Sequence, residues 1–525
     1  MEPLLPVKSS EKDDEPFVKS EKPRRPRWHL PIALLLGFIL FTTTPHWPSC
    51  DPWRAVLPLS EDFYSHCKSL LIPPPGTYSH RLDHLSEVLG KSVWIAEPGP
   101  SVEYFLGGFG KSDWWLSERP LLVVVIPHSV SVSGTPSSSV LATTSSDGTS
   151  ISTDANGSTD SIPILTKRTN EETDIEGGTK VIILTPQFEA LRASEIFLPE
   201  EIQGNIKYVA WEEFEDPHEV LWKELGPLEV DGVVLDRDVR EFVSSAVRER
   251  AGSGRVNSST EVERIREKKD EREVGLLRCA NQMTLHAIRQ TRAKMYIGIT
   301  ESATRTILQK YMTASRLQEA DGLVLFGENA ALPHGSGTDR RLGKGDMVLI
   351  DCGGTWGGYT SDITRTFALP SSKIPSENIR LWELVRQAQQ APYELLKSSS
   401  TTSPPLFSEM DHSARSLISS HMSRRIVSTN STPTPDFTVF THRLGHGIGL
   451  EGHELPYLVF GNEGGTGPGH VFSLEPGIYL PQDAEPVHGM KGVGVRLEDC
   501  LAVLEKDGQL VGEWLSGPVE RWGDV

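Results

Sequence analysis

Apolar positions fall into short runs punctuated by Gly, Pro and Ser rather than into one continuous pattern. Pro120–Ile126, Lys180–Leu184 and Val230–Leu235 are runs too short for helices, and each predicts a buried strand. Between and around them the period changes. His80 to Gly90 has helical spacing, Asp411 to His421 is helix-like, and Ile265 to Arg292, charged and bearing Ala and Leu, predicts a long surface helix. Residues 78–260 therefore read as an α/β domain, and residues 261–525 as a second domain of mixed α/β (α+β) class. A Ser/Thr/Gly/Asp-rich tract over 129–178 is too polar to build a core and predicts a disordered insertion between two strands. Smaller polar insertions cover Ser398–Pro405 and Thr429–Pro435. Of Trp114 and Trp115, packing inside the first domain is the expected use, with a place at a substrate entrance the alternative.

The second half carries acidic residues where strands should be apolar. The run Met347–Ile350 ends at Asp351, followed by Cys352-Gly353-Gly354, and Gly358–Phe367 is a second β-rich segment containing Asp362. Two strands joined by a Gly-rich turn could face both carboxylates to one point. Val471–Gly477 and Gly494–Asp499 repeat the arrangement with Glu475 and Glu498. His446 lies in Thr441–His453, where glycines at 445, 447, 449 and 452 disfavour a helix and predict an irregular loop presenting His442, His446 and His453. A carboxylate in a half-buried sheet costs on the order of several kcal/mol unless a cation compensates. Four carboxylates and one imidazole suit two hard or borderline divalent cations, and two metals sharing a water perform hydrolysis. Alone, each residue has an ordinary reading: a turn-forming Asp, a solvated Glu, a hydrogen-bonded structural His, a cross-strand Arg496, a buried Cys352 without a base. Their conjunction is the signal.

On these residues the chain resembles the pita-bread metallopeptidases, in the branch of Xaa-Pro aminopeptidases and prolidases. Asp351, Asp362, His446, Glu475 and Glu498 match that family's metal ligands in order. The resemblance implies a creatinase-like N-terminal α/β domain ahead of a pita-bread catalytic domain, with Phe105–Phe109 fitting the former. It also implies two divalent ions per chain, manganese first and cobalt or zinc as alternatives. Glu475 would transfer the proton, and His453 would steady the tetrahedral intermediate. His334 would stand on the substrate side, His442 near a proline pocket, and Arg496 would support a carboxylate from behind. The implied activity is exopeptidase cleavage of Xaa-Pro bonds in small peptides with proline second, by an aminopeptidase or a dipeptidase. The alternatives are a pita-bread module that binds peptides or proteins without hydrolysing them, and a metal-free creatinase-like hydrolase.

Composition adds limits. At 525 residues with a formal net charge of −19 and 37% hydrophobic residues, the chain allows several globular domains. A pI near 5.4 argues against nucleic acid as a partner. Small neutral or cationic substrates fit better, and a homodimer is left open. The N-terminus departs from this balance. A basic tail over 1–29 precedes an apolar stretch over 30–44, shorter than an average membrane span, so a signal-peptide core with secretion and a short signal anchor both fit. The basic flank and the lack of a clear small-x-small cleavage site favour the anchor. The expectation is a single-pass membrane protein with a cytosolic N-terminus, a linker over 45–77, and its catalytic domain in the secretory lumen or outside the cell. Sequons at Asn156, Asn257 and Asn430 agree with that compartment. Among five cysteines, Cys50 and Cys67 flank a short segment after the apolar stretch and could form a luminal disulfide, and the odd total leaves at least one thiol unpaired or intermolecular.

Overall fold

Among the described residues seventeen strands carry the architecture, and the first six make one mixed sheet. The computed structural model describes residues 58–130, 178–226, 229–258, 260–422, 437–522 and 524–525. In the first sheet, β1 (Ser92–Ala96), β2 (Leu122–Ile126), β3 (Lys180–Pro186), β4 (Ile206–Trp211), β5 (Gly232–Leu235) and β6 (Val256–Ser258) lie in the order β4-β3-β2-β1-β5-β6. Side chains alternate across its two faces. Trp94, Val123 and Ile183 pack with Leu82 and Phe105 on one face, and Val93, Ile95, Leu122 and Leu184 pack with Leu221 and Val243 on the other. Burial on both faces explains why the runs read as continuously apolar.

The remaining strands carry the site. β7 (Gln318–Phe326), β8 (Val348–Trp356), β9 (Tyr359–Thr360) and β10 (Ile363–Phe367) form one antiparallel sheet in the order β10-β8-β7, with β9 folded back on β8. β11 (Gly445–Gly447), β12 (Glu454–Leu458) and β13 (Val471–Leu474) precede the small pair β14 (Gly477–Leu480) and β15 (Val493–Arg496). With β16 (Asp499–Lys506) and β17 (Gln509–Trp514), the order of the third sheet is β12-β11-β13-β16-β17. Helices Glu271–Arg292, Ser376–Lys397 and Phe407–Met422 close the apolar faces.

Several expectations need correcting. The long surface helix over 265–292 is two helices, Thr260–Glu267 and Glu271–Arg292. A capping box breaks it: Glu273 N–H donates to Asp270 Oδ1 at 2.8 Å, and Asp270 N–H donates to Glu273 Oε2 at 2.9 Å. The second helix is buried along most of its length rather than lying on the surface. Trp114 packs inside as expected, but Trp115 is 82% exposed.

Cys67 pairs with Cys279, not with Cys50, which lies outside the described residues. The helix Glu61–Ser69 is held to the Glu271–Arg292 helix by Arg272 Nε, which donates to Leu70 O at 2.7 Å, and Trp356 Nε1 donates to Cys67 O at 3.1 Å. That docking brings together sulfurs 212 residues apart, which no sequence spacing announces.

The membrane placement is also corrected. Among the described residues no helix is long and apolar enough to cross a membrane, and the stretch 30–44 on which the anchor rested lies outside them. The luminal placement built on it is set aside. The basic tail, most of the 129–178 tract, the 429–435 loop and the sequons at Asn156 and Asn430 likewise fall outside the described residues, while Asn257 is exposed on β6.

Candidate metal centre

Five side chains from separated stretches of chain converge on one space. Asp351 lies on β8 directly opposite Thr364 of β10, and Asp362 immediately precedes β10. Glu475 follows β13, its N–H donating to Leu444 O at 2.8 Å, and Glu498 joins β15 to β16, its N–H donating to Thr364 O at 3.0 Å. His446 sits on a short strand rather than in an irregular loop. The glycines flanking it serve close strand packing: a Cβ at Gly445 would lie 1.9 Å from Ser473 O, and one at Gly447 2.0 Å from Leu455 O.

The distances are those of a shared donor cluster. His446 Nε2 is 3.4 Å from Glu475 Oε1, 3.7 Å from Asp362 Oδ2 and 4.0 Å from Glu498 Oε1. Donor atoms of Asp351, Asp362 and Glu498 lie within 4.8 Å of one another, as do those of His446, Glu475 and Glu498, and those of Asp362, His446 and His453. Glu498 and His446 are 2% and 1% exposed on their side chains, whereas Asp362 is 22% exposed and Asp351 25%. The cluster is thus closed beneath and open at the two aspartates. Beside Asp362 an open cavity of about 310 Å³ begins, lined also by Ser361, Asp321 and Gly452.

The charge balance shows what such a cluster needs. Burial first, and then Glu498, Asp351 and Glu475, push the Asp362 carboxyl well above the usual range. Burial and then Glu498 do the same to Glu475, and Glu498 is pushed up to about 7 by burial and then Asp351. Arg496 pairs with Asp351 at 2.6 Å, but among the described residues no lysine or arginine lies within ion-pair distance of Asp362, Glu475 or Glu498. His446 is held neutral, its pKa lowered to about 3 by burial and then by His453. Its Nδ1 is 3.1 Å from Gly447 O, so Nδ1 carries the proton and the Nε2 lone pair faces the carboxylates. Crowded carboxylates short of positive charge, with a neutral imidazole acceptor among them, fit divalent cations.

Arg496 organises the surrounding groups. Besides Asp351, it donates from Nε to Thr364 Oγ1 at 3.0 Å and from Nη1 to Tyr479 Oη at 2.9 Å. Thr364 Oγ1 in turn donates to Glu498 Oε2 at 2.7 Å, and Tyr479 Oη is 2.8 Å from His442 Nε2. His442 Nδ1 donates to Arg443 O at 2.8 Å and lies 3.9 Å from Glu475 Oε2, so His442 stands behind Glu475, its pKa lowered to about 3 by burial and then Arg496. His453 is exposed, its ring centroid 4.1 Å from that of His446. His334, exposed on the loop after Gly327–Ala331, is close enough to help lower the pKa of His453, after burial and Arg443. Cys352 is buried, and burial above all raises its thiol pKa, which leaves it no nucleophile's role. Sequence reasoning missed Thr364 and Tyr479. Thr364 offered one signal, its place two residues after Asp362 on the strand that pairs with Asp351.

Residues 275–505 match the Metallopeptidase family M24 profile. The chain is 32% identical over 437 residues to an uncharacterized peptidase of Schizosaccharomyces pombe, covering 82% of this chain and 80% of that one. It is 30% identical over 336 residues to the Xaa-Pro dipeptidase of Pyrococcus furiosus, covering 63% of this chain and 84% of that one.

The chain belongs to metallopeptidase family M24. Its fold agrees: the dipeptidase PepE of Mycobacterium ulcerans superposes with a TM-score of 0.63 at 22% identity, covering 85% of this chain and 97% of that one. This M24 protein is a mixed α/β metallopeptidase of the pita-bread fold.

Proposed function

We propose that this M24 peptidase is a dinuclear exopeptidase that cleaves Xaa-Pro bonds in small peptides. The reading rests on one observation above all, the convergence of Asp351, Asp362, His446, Glu475 and Glu498 on a single space open on one side. These five would hold the ions. Four oxygen-donor residues with one imidazole suit manganese, or cobalt, better than they suit zinc, which favours more nitrogen and sulfur. Bound there, a pair of divalent cations supplies an activated water and polarises the scissile carbonyl.

The protein's own groups account for the remaining steps. Glu475, backed by His442 and accepting a long hydrogen bond from Ser473 Oγ at 3.5 Å, takes a proton from the attacking water and delivers it to the departing prolyl nitrogen. His453 donates a hydrogen bond to the carbonyl oxygen as charge develops on it. His334, exposed on the loop after Gly327–Ala331, would contact the substrate. The chain Arg496, Tyr479, His442 fixes the side of the site behind Glu475. Proline restricts its amide and lacks an N–H, so general peptidases handle Xaa-Pro bonds poorly and a dedicated site is reasonable. The Xaa-Pro dipeptidase and PepE likenesses favour dipeptides over longer chains. The complete donor set speaks against a binding module that has lost hydrolysis.

The test uses metal-stripped protein restored with manganese and offered an Xaa-Pro dipeptide, a tripeptide with proline second and an Xaa-Ala control. Manganese-dependent release of proline from the dipeptide, exceeding turnover of the control, is expected. Equal turnover of the Xaa-Ala control would refute the specificity, and no manganese-dependent turnover would refute the reaction.

A further inference from the structure

The loop Gly449–Glu454 that carries His453 is anchored by charges from far earlier in the chain. Arg237, just past β5 of the six-stranded sheet, donates from Nη2 to both carboxylate oxygens of Glu451, at 2.8 and 3.0 Å. Arg266, on the Thr260–Glu267 helix, donates to the same carboxylate. One residue beyond His453, Glu454 is paired with Lys269, their side chains 5% and 1% exposed. His453 therefore stands between two glutamates that are both held by cations outside the metal-bearing sheets.

The loop has little stiffness of its own. Gly449 and Gly452 lie within it, and glycine gives a backbone its largest conformational freedom. At Gly449 a Cβ would lie 2.5 Å from Glu454 Oε1, so a larger residue there would have to displace the carboxylate that Lys269 holds. Two main-chain bonds help hold the Gly449 end: Thr360 N–H to Gly449 O at 2.8 Å and Gly449 N–H to Glu451 O at 3.0 Å. The other end enters β12 at Glu454, opposite Gly447 of β11, so between the two ends it is the Glu451 carboxylate that ties the loop to the cations outside the sheet. Glu451 and Gly452, the two residues before His453, also line the cavity beside Asp362.

We propose that Arg237 is a positioning residue for the peptidase reaction: by clamping Glu451 it sets where His453 stands over the carboxylate cluster. The sheet β1–β6, which contributes none of the five donors, is then part of the catalytic apparatus. The proposal rests on the reading of His453 as the donor to the carbonyl oxygen. Arg237 is 34% exposed on its side chain, and Glu451 keeps its partner Arg266 when Arg237 is removed, so truncation opens no core cavity.

The experiment is a double-mutant cycle on the full chain loaded with manganese, comparing the parent, Arg237→Ala, His453→Ala and the double variant on an Xaa-Pro dipeptide. Arg237→Ala should lower kcat about tenfold, short of the about hundredfold that a full ångström of misplacement can cost, because Arg266 still holds Glu451. KM and manganese affinity should stay within about twofold. Arg237→Lys should recover part of the loss, and Arg237→Ala should cost nothing further in the His453→Ala background. In metal-free protein, amide hydrogen exchange in residues 449–454 should quicken in Arg237→Ala while the Glu271–Arg292 helix is unchanged. An unchanged kcat, or the same fold-loss with and without His453, would overturn the proposal. A His453→Ala enzyme as active as the parent would bring down the role of His453 itself; hydrolysis would still depend on the metal donors, which separates the two failures.

Discussion

Replacing Thr364 by Val removes one hydroxyl and almost no volume at a completely buried position between Glu498 and Arg496. Two bonds are lost: the 2.7 Å donation to Glu498 Oε2 and the 3.0 Å acceptance from Arg496 Nε. A hydrogen bond to a charged group contributes about 1.5–3 kcal/mol, and Val leaves no cavity to add a packing cost. The Glu498 carboxylate then loses the partner that fixes its rotation. Converted at about 1.4 kcal/mol per tenfold, the loss corresponds to about a 10–100-fold drop in manganese affinity, the range seen when groups behind metal ligands are removed. Competition with a chromophoric chelator measures that affinity directly, and circular dichroism confirms the fold. Thr364→Ser keeps the hydroxyl and should stay within about threefold of the parent. Val affinity within about twofold of the parent, or Ser as damaging as Val, would refute the reasoning.

Other substitutions probe charge and burial elsewhere. Glu103 has its pKa raised to about 7 from the usual 4.5, by burial and then by Asp113 and Glu319. The folded state holds its proton more tightly than the unfolded, so this group's contribution is full below about pH 4.5 and is lost as pH rises to about 7. Glu103→Gln should therefore be more stable than the parent at about pH 8, by at most about 3 kcal/mol, with the gap narrowing towards pH 5; urea midpoints at both pH values measure it, and an equal gap would exclude the titration. Arg365 and Asp499 form an ion pair with both side chains essentially buried, and Ser516 and Gln389 also bond Asp499. Arg365→Ala, which leaves that carboxylate without its cation, should cost about 3–5 kcal/mol in chemical denaturation. Metal-free Asp362→Asn should melt above the metal-free parent because repulsion is relieved, and below it once manganese is present, a reversal visible in thermal melts.

Much of the site could be read in the sequence because its donors interrupt strand patterns that would otherwise be apolar. Asp351 after Met347–Ile350 and Glu475 after Val471–Leu474 stand out for that reason. The strands over 122–126, 180–186 and 232–235 were equally visible, since burial on both faces leaves a run of Val, Ile and Leu. The central strand Ser92–Ala96 was not, being five residues between Lys91 and Glu97 whose burial comes from side chains packed on both faces of the sheet. His446 read as a loop residue because glycine usually means flexibility. Here it means that two backbones pass within a glycine's width. Long-range partners, Cys67 with Cys279 and Arg237 with Glu451, leave no local trace.

The account turns on whether the five converging donors hold catalytic cations. Manganese titrated into stripped protein, with turnover of an Xaa-Pro dipeptide followed at each addition, tests this most directly. Activity should rise from near zero and level off at about two equivalents per chain, and it should stay near zero throughout in Glu475→Ala. Turnover in fully stripped parent protein, or none at any manganese level, would contradict it.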